Sequence, residues 1–270
     1  MKRKLGVNID CIGDGFDEVR TLELAHQTGF EVFTGSKRPV EMMARIKEKA
    51  VELGMEFPFL HSPYSGINNL WLEGDDYRAI FEGIIESVDI AATFEIGAVV
   101  THVSSGWQAP PVNDLGLSRF DALVEYANKK NITLAFENLR MVGNLAYLID
   151  RYEHCDNVRF CFDCGHEHCY TKTVPWIDIF TNKIIATHIH DNMSRPFGDK
   201  STDPDSHWLP FDGTYNYHEM MHKLDKYGYA GPLVLEIYRK ARADYKELSP
   251  EEFLATAYDR ITRISTLNDL

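Results

Sequence analysis

The stretch Ile132-Thr133-Leu134-Ala135-Phe136-Glu137-Asn138 has the strand pattern that predicts the fold of this chain. It is almost continuously apolar, as a strand buried on both faces of a parallel sheet should be, and it ends in two polar residues. Seven further runs of this kind occur along the chain, at residues 5–10, 30–35, 55–61, 98–103, 158–163, 184–190 and 233–238.

Segments with helical spacing of their apolar residues lie between these runs, at residues 17–27, 39–53, 76–94, 117–129, 145–152, 176–180, 217–227 and 250–264. Eight alternating units predict an α/β fold, a single (β/α)8 TIM barrel. Such a barrel takes about 250 residues, so we expect one domain over residues 1–270. An open doubly wound sheet is the alternative, but no GxGxxG follows the first run.

The composition restricts the class of protein and its partners. The chain is 44% hydrophobic, no apolar run approaches the roughly 20 residues that span a bilayer, and its five cysteines are an odd number that fits a reducing compartment. We therefore expect a soluble, cytoplasmic protein without a membrane partner. The net charge of −13 disfavours nucleic acid, which attracts Lys and Arg through its phosphates. A homo-oligomer stays open.

Metal-ligand side chains recur where the third to eighth runs end. A carboxylate inside an apolar strand is costly unless it has a partner, so Glu137 and Glu236, which each follow three apolar residues, both need one. In a barrel the carboxyl ends of all strands meet at one mouth. The sequence therefore predicts a shared divalent metal site there, and the residues of suitable type at or just after the strand ends are His61, His102, Glu137, Asp163, His166, His188, His190, Asp205, His207 and Glu236.

With these motifs the chain resembles the xylose isomerase-like TIM-barrel superfamily. That superfamily covers sugar and sugar-phosphate isomerases and epimerases, inositol-catabolism enzymes and AP endonuclease family 2, which is endonuclease IV-like. The segments that carry the resemblance are Phe136-Glu137-Asn138, Phe162-Asp163-Cys164-Gly165-His166, His188-Ile189-His190-Asp191-Asn192, Asp205-Ser206-His207 and Leu235-Glu236.

The resemblance implies a metal-dependent isomerase or epimerase of a sugar, sugar phosphate or related polyol, which works by proton transfer through an enediolate. The implied metal ligands are Glu137, Asp163, His188 and Glu236, and the two glutamates are the implied catalytic acid–base pair. His190 is the alternative to His188, which is preferred because it stands three residues before Asp191-Asn192. Mn, Mg or Zn would fit this mixed set of ligands.

Three other functions stay open. A dehydratase or lyase could use the same site, and the barrel could be catalytically inactive and only bind a metal or ligand. In the endonuclease IV branch a trinuclear zinc site has further ligands, and their counterparts are His61, His102, His166, Asp205 and His207. The loop 191–213 disfavours DNA, since it holds five aspartates against Arg195 and Lys200, and Phe211 replaces a glycine of that branch.

Three residues are candidates for substrate binding. Arg195 follows the strand-7 ligand and could clamp a hydroxyl, carboxylate or phosphate. Trp107 and Trp208 follow strand ends and could stack on a sugar ring. The alternatives are a solvated loop arginine and two tryptophans that cap the barrel.

Overall fold

A computed structural model describes residues 2–196, 198–201 and 204–267 of the chain. Its strands pair side by side in parallel, in the orders β2-β1-β8 and β3-β4-β5-β6-β7. Their bounds are β1 Leu5–Asn8, β2 Val32–Thr34, β3 Phe59–His61, β4 Ala98–Thr101, β5 Thr133–Glu137, β6 Val158–Asp163, β7 Ile184–His188 and β8 Leu233–Leu235.

Backbone hydrogen bonds close these strands into a barrel. The His61 N–H donates to the Gly35 carbonyl at 2.9 Å, which joins β3 to the end of β2. The Glu236 N–H donates to the Ile189 carbonyl at 3.1 Å, which joins the segments that follow β8 and β7. The prediction of a (β/α)8 TIM barrel is therefore confirmed. Each strand is shorter than its apolar run or equal to it, because flanking residues such as Phe30 are buried outside the ladder.

Helices cover the outside of the barrel. They are α1 Glu18–Thr28, α2 Val40–Leu53, α3 Tyr77–Thr93, α4 Asp114–Lys129, α5 Val142–Arg151, α6 Cys164–Tyr170, α7 Trp176–Ile179, α8 Tyr217–Lys226, α9 Ala243–Glu247 and α10 Pro250–Ser265. The short helices α6 and α9 do not appear in the prediction. In the part of the chain that the structure describes, no helix is both long and apolar enough to cross a bilayer.

The interior of the barrel explains where the polar residues lie. Small and apolar side chains fill it, namely Val32, Phe59, Ala98, Val100, Ala135, Cys161, Ala186 and Val234. Alternate residues of a strand point to the same face, so the next residue on the interior face stands two positions closer to the mouth. For six strands that residue is a candidate ligand: His61, His102, Glu137, Asp163, His188 or Glu236. Apolar side chains thus fill the barrel interior directly below the polar residues of the mouth.

Candidate active site

The candidate site is a cavity of about 540 Å³ at the carboxyl ends of the strands. Next to it, ligand atoms of Glu137, Asp163, His188 and Glu236 all lie within 4.8 Å of one another. The first three residues end β5, β6 and β7, and the fourth follows β8 directly. The structure thus brings together the four residues for which the sequence predicts a metal. Metal binding itself stays a prediction.

Glu137 lies at the centre of the site and is surrounded by imidazoles. Its Oε2 is 3.1 Å from His61 Nε2 and 3.2 Å from His102 Nε2, and its Oε1 is 3.2 Å from Nδ1 of both His166 and His188. The side chain is only 1% exposed. Burial alone would raise its pKa, but the histidines hold the pKa of Glu137 well below the usual value for a glutamate. The carboxylate is therefore ionised at neutral pH and available as a ligand.

Asp163 is fixed on two sides. Its Oδ1 accepts a 2.6 Å hydrogen bond from the His166 N–H, which caps the start of α6. Its Oδ2 lies 3.2 Å from His190 Nε2. The His190 ring is fully buried and packs on Gly165, where an added Cβ would lie 1.9 Å from His190 Cε1. His190 thus supports the carboxylate of a candidate ligand.

The two histidines of β7 and its extension occupy different positions. His188 Nδ1 lies 3.3 Å from Glu236 Oε2 and belongs to the group of four. His190 belongs to another possible group, with His207 and Glu236, and its ring stacks on His207 with 4.0 Å between centroids. The geometry therefore favours His188 as the ligand beside Glu137 and Asp163.

Two further groups flank the central one. The first consists of His61, His102 and Glu137, and the second of His166, Asp205 and His207. Burial would lower the pKa of His207, but the Asp205 carboxylate raises it to about 10. His207 also has a φ of +47°, a left-handed conformation that is uncommon outside glycine and often found at functional sites. Glu137 belongs to two of the groups, the central one and the one with His61 and His102.

Several residues at the rim of the mouth were missed by the sequence analysis. Tyr64 stacks on the His102 ring with 4.9 Å between centroids. The Arg140 guanidinium lies 3.7 Å from the centroid of the Tyr170 ring. Arg140 and Tyr64 each follow a strand-end ligand by three residues, and this spacing is the signal that could have identified them. The other missed residues that line the cavity are Asp10, Ser36, Ser105, Leu139, Tyr238 and Lys240.

The three predicted substrate-binding residues lie elsewhere. Arg195 Nε donates to the Cys169 carbonyl at 2.5 Å, and the guanidinium stands 4.0 Å from the centroid of the Trp107 ring. Trp208 is covered by Arg242 at 5.0 Å. None of these three side chains lines the mouth cavity among the described residues. A substrate contact for Arg195, Trp107 or Trp208 stays a prediction.

Asp191 anchors the long loop that begins after His190. Its Oδ2 accepts a 2.9 Å hydrogen bond from the Phe211 N–H, and its Oδ1 accepts one of 3.1 Å from the Tyr215 N–H. Phe211 has a φ of +72°, the conformation that favours glycine at this position. Its ring is held by Arg263, whose guanidinium lies 4.2 Å from the centroid. Asp203 of the same loop lies outside the described residues.

A family model described as a xylose isomerase-like TIM barrel matches residues 22–257. The chain belongs to this family. The xylose isomerase-like barrel explains why the candidate ligands converge at the carboxyl ends of the strands, since TIM-barrel enzymes carry their active sites there.

Two sequence relatives and one solved structure show what this xylose isomerase-like chain is similar to. An uncharacterised protein of Sinorhizobium fredii is 31% identical over 160 residues, which cover 52% of this chain and 48% of that protein. The inosose isomerase of Halalkalibacterium halodurans is 31% identical over 110 residues, 40% of this chain and 37% of that enzyme. The crystal structure of D-psicose 3-epimerase with D-tagatose from Clostridium cellulolyticum is 14% identical, with a TM-score of 0.74 over 96% of this chain and 97% of that one.

The chain spans less than half the length of each of the two sequence relatives, and the structural likeness shows the fold. A single domain over residues 1–270, a cytoplasmic location and a homo-oligomeric state stay predictions.

Proposed function

We propose that this xylose isomerase-like barrel is a divalent-metal-dependent epimerase or isomerase of a sugar or related polyol. The observation that carries the proposal is the convergence of Glu137, Asp163, His188 and Glu236 within 4.8 Å. The names of two relatives, an inosose isomerase and a D-psicose 3-epimerase, support this class of substrate.

The four side chains fit a divalent ion. They offer three carboxylates and one imidazole, a set of hard oxygen and borderline nitrogen donors that suits Mn, Mg or Zn. Three of them are at most 1% exposed, so these residues would hold the ion largely shielded from solvent. Such an ion supplies Lewis-acid polarisation of a substrate carbonyl.

Glu137 and Glu236 are the proposed acid–base pair, and they approach the substrate from different sides. Glu137 ends β5 and Glu236 follows β8, three strands further round the barrel. One glutamate removes the proton from the carbon beside the carbonyl, and the other returns a proton to the substrate. The Glu236 side chain is 17% exposed against 1% for Glu137, so Glu236 has the freer access to a substrate in the mouth.

The test compares Glu137→Gln and Glu236→Gln with Glu82→Gln, an exposed glutamate on α3. Each protein is loaded with Mn, Mg or Zn and incubated in D2O with inososes, D-psicose, D-tagatose and other ketoses. Wild type and Glu82→Gln should place deuterium on the carbon beside the carbonyl. Each site variant should be slower by at least about 100- to 10,000-fold, because glutamine cannot act as a base near neutral pH.

Metal content and folding are measured on the same samples. Bound metal should fall in both site variants, while circular dichroism stays that of wild type. Full activity in either site variant would remove that glutamate from the mechanism. Turnover without any deuterium would disprove proton transfer by the pair, and a product that has lost water would instead assign a dehydratase.

The two flanking groups support a second candidate, a phosphate-ester hydrolase with a trinuclear zinc centre. Their five additional residues, His61, His102, His166, Asp205 and His207, are the counterparts of the further ligands of the endonuclease IV branch, and each group brings its atoms within 4.8 Å. Multinuclear sites hold both the attacking and the leaving oxygen of a phosphoryl transfer.

DNA is disfavoured as the substrate of that second candidate. The chain carries a net charge of −13. The Arg195 guanidinium points at backbone carbonyls of α6, and Lys200 lies 5.1 Å from the centroid of the Trp107 ring. One metal per chain and no incision of abasic-site duplex at physiological salt are the expected results. Three zincs per chain, together with incision that Glu137→Ala abolishes, would reverse this ranking.

A further inference from the structure

A second cavity of about 610 Å³ lies beside the mouth. It is formed by the loop after β1, the start of α2 and the segment after β8. Three residues, Asp10, Tyr238 and Lys240, line both this cavity and the mouth. The two cavities therefore adjoin, and each falls within the roughly 300–1,000 Å³ of a small-molecule site.

The cations of the second cavity are all paired with carboxylates among the described residues that line it. A phosphate would have to compete with these carboxylates for each cation, whereas neutral hydroxyls can bond to the donors and acceptors of an intact pair. The electrostatics thus suit an uncharged, hydroxyl-rich ligand. The pairs are Arg38 with Glu18 at 2.6 Å and with Asp10 at 3.7 Å, Arg45 with Asp17 at 3.5 Å, and Lys240 with Asp14 at 3.6 Å.

Apolar side chains complete the lining. Phe16, Pro39 and Met42 face the same cavity as the ion pairs. A pyranose ring has both a C–H face and hydroxyl edges, and this mixture of apolar and hydrogen-bonding surface matches it. Gly13 and Gly15 have φ values of 130° and 84°, and an added Cβ would meet nothing within 4 Å at either. The backbone of the loop after β1 is therefore accessible at these two glycines.

Tyr238 stands at the junction of the two cavities. Its phenolic hydroxyl can both donate and accept a hydrogen bond. Within residues 2–196, 198–201 and 204–267 this hydroxyl makes no hydrogen bond. Its ring is fixed against His207 with 5.3 Å between centroids. A donor held at this place can bond to a ligand that extends from one cavity into the other.

We propose that the second cavity binds an uncharged glycosyl group, so that the substrate is a glycoside or disaccharide whose reacting ring occupies the mouth. The proposal rests on the proposed sugar chemistry at the mouth. It adds a substrate class to that chemistry and a binding role to Tyr238, Arg38 and Met42.

Calorimetry on the metal-loaded protein tests the proposal without any need for turnover. The probes are maltose, cellobiose, sucrose and their 3-keto derivatives, each compared with its monosaccharide and with glucose 6-phosphate. At least one disaccharide should bind ten or more times tighter than the matching monosaccharide. If no disaccharide does so, or if glucose 6-phosphate binds tightest, the proposal is wrong.

Variants locate the binding. Met42→Trp should fill the second cavity and weaken disaccharide binding at least tenfold. Val51→Trp, at a 70% exposed position on the same helix, is the matched control and should bind as wild type does. Tyr238→Phe removes one hydroxyl and should weaken disaccharide binding roughly 2- to 10-fold. Equal disaccharide binding by Met42→Trp and Val51→Trp would overturn the proposal.

The same experiments separate this proposal from the proposed function. If disaccharides bind in a Met42-dependent way but no proton exchange occurs in D2O, the subsite stands and the epimerase assignment fails. If monosaccharides exchange their proton and no disaccharide binds, the assignment stands and the subsite fails.

Discussion

Gly165→Ala is the most direct test of whether the buried His190 ring supports the candidate ligand Asp163. Because the new Cβ would lie 1.9 Å from His190 Cε1, 2.4 Å from Nδ1 and 2.5 Å from Nε2, the imidazole must move. Overpacking of this kind costs about 1–3 kcal/mol. Loss of the 3.2 Å contact between His190 and the Asp163 carboxylate adds the value of a hydrogen bond to a charged group, about 1.5–3 kcal/mol. Together these give a loss of about 2.5–6 kcal/mol.

Urea unfolding of metal-free protein measures that loss, and metal titration measures the effect on the site. Gly143→Ala is the control, since this exposed helical glycine has nothing within 4 Å of the added Cβ. It should stabilise the protein by up to about 1 kcal/mol. Metal affinity should fall about 10- to 100-fold in Gly165→Ala only, as for loss of an outer partner of a ligand. Equal stability and affinity in the two variants would refute the role given to His190.

Three further predictions concern burial, protons and the long loop. Burial raises the pKa of Glu167 to about 7, although the hydrogen bond from Tyr215 opposes this shift, so ionisation of Glu167 costs stability as the pH rises above 4.5. Glu167→Gln should therefore raise the free energy of unfolding by about 3 kcal/mol at pH 8 and change it little at pH 4.5. Equal effects at the two pH values would contradict this prediction. The pKa of His207 is raised to about 10, so its protonation stabilises the metal-free protein fully below pH 6.5 and progressively less as the pH rises to 10. Because zinc must displace this proton, the gain in melting temperature on adding zinc should grow from pH 6 to pH 9. A gain that shrinks over this range would argue against metal binding at His207. Asp191→Ala leaves the backbone amides of Phe211 and Tyr215 without their acceptor. The substitution should lower the free energy of unfolding by about 2–5 kcal/mol and speed hydrogen exchange at both amides. Unchanged exchange would show that other contacts hold the loop.

The sequence predicted the barrel and the convergence at its mouth because both follow from local patterns. The apolar runs identify the strands, and the two-residue period of a strand places each polar terminus above an interior side chain, as Glu137 stands above Ala135. No such rule gives the direction of a loop side chain. Arg195 turns away from the mouth because the Cys169 and Tyr170 carbonyls attract its guanidinium, and these contacts exist only in the folded chain.

Helix α6 was missed for a similar reason. Cys164–Tyr170 is only seven residues long and has no readable amphipathic period. The helix forms because Asp163 caps it, and Asp163 was interpreted only as a candidate metal ligand. Asp163 thus both caps α6 and belongs to the group of four candidate ligands, and only the second of these features follows from its place at a strand end.

The apolar interior side chains and the candidate ligands lie on the same face of each strand, and this restricts the insertions and deletions that the strands can accept during evolution. One residue inserted between Ala135 and Glu137 would turn the carboxylate towards the helices, and the site would lose its central group. Two inserted residues would restore the facing but move the carboxylate about 7 Å along the strand, away from His188 and Asp163. Neither change is tolerable in six strands that meet at one point. Insertions and deletions in this lineage should therefore accumulate in the loops at the mouth, where they change what enters the site without changing its chemistry.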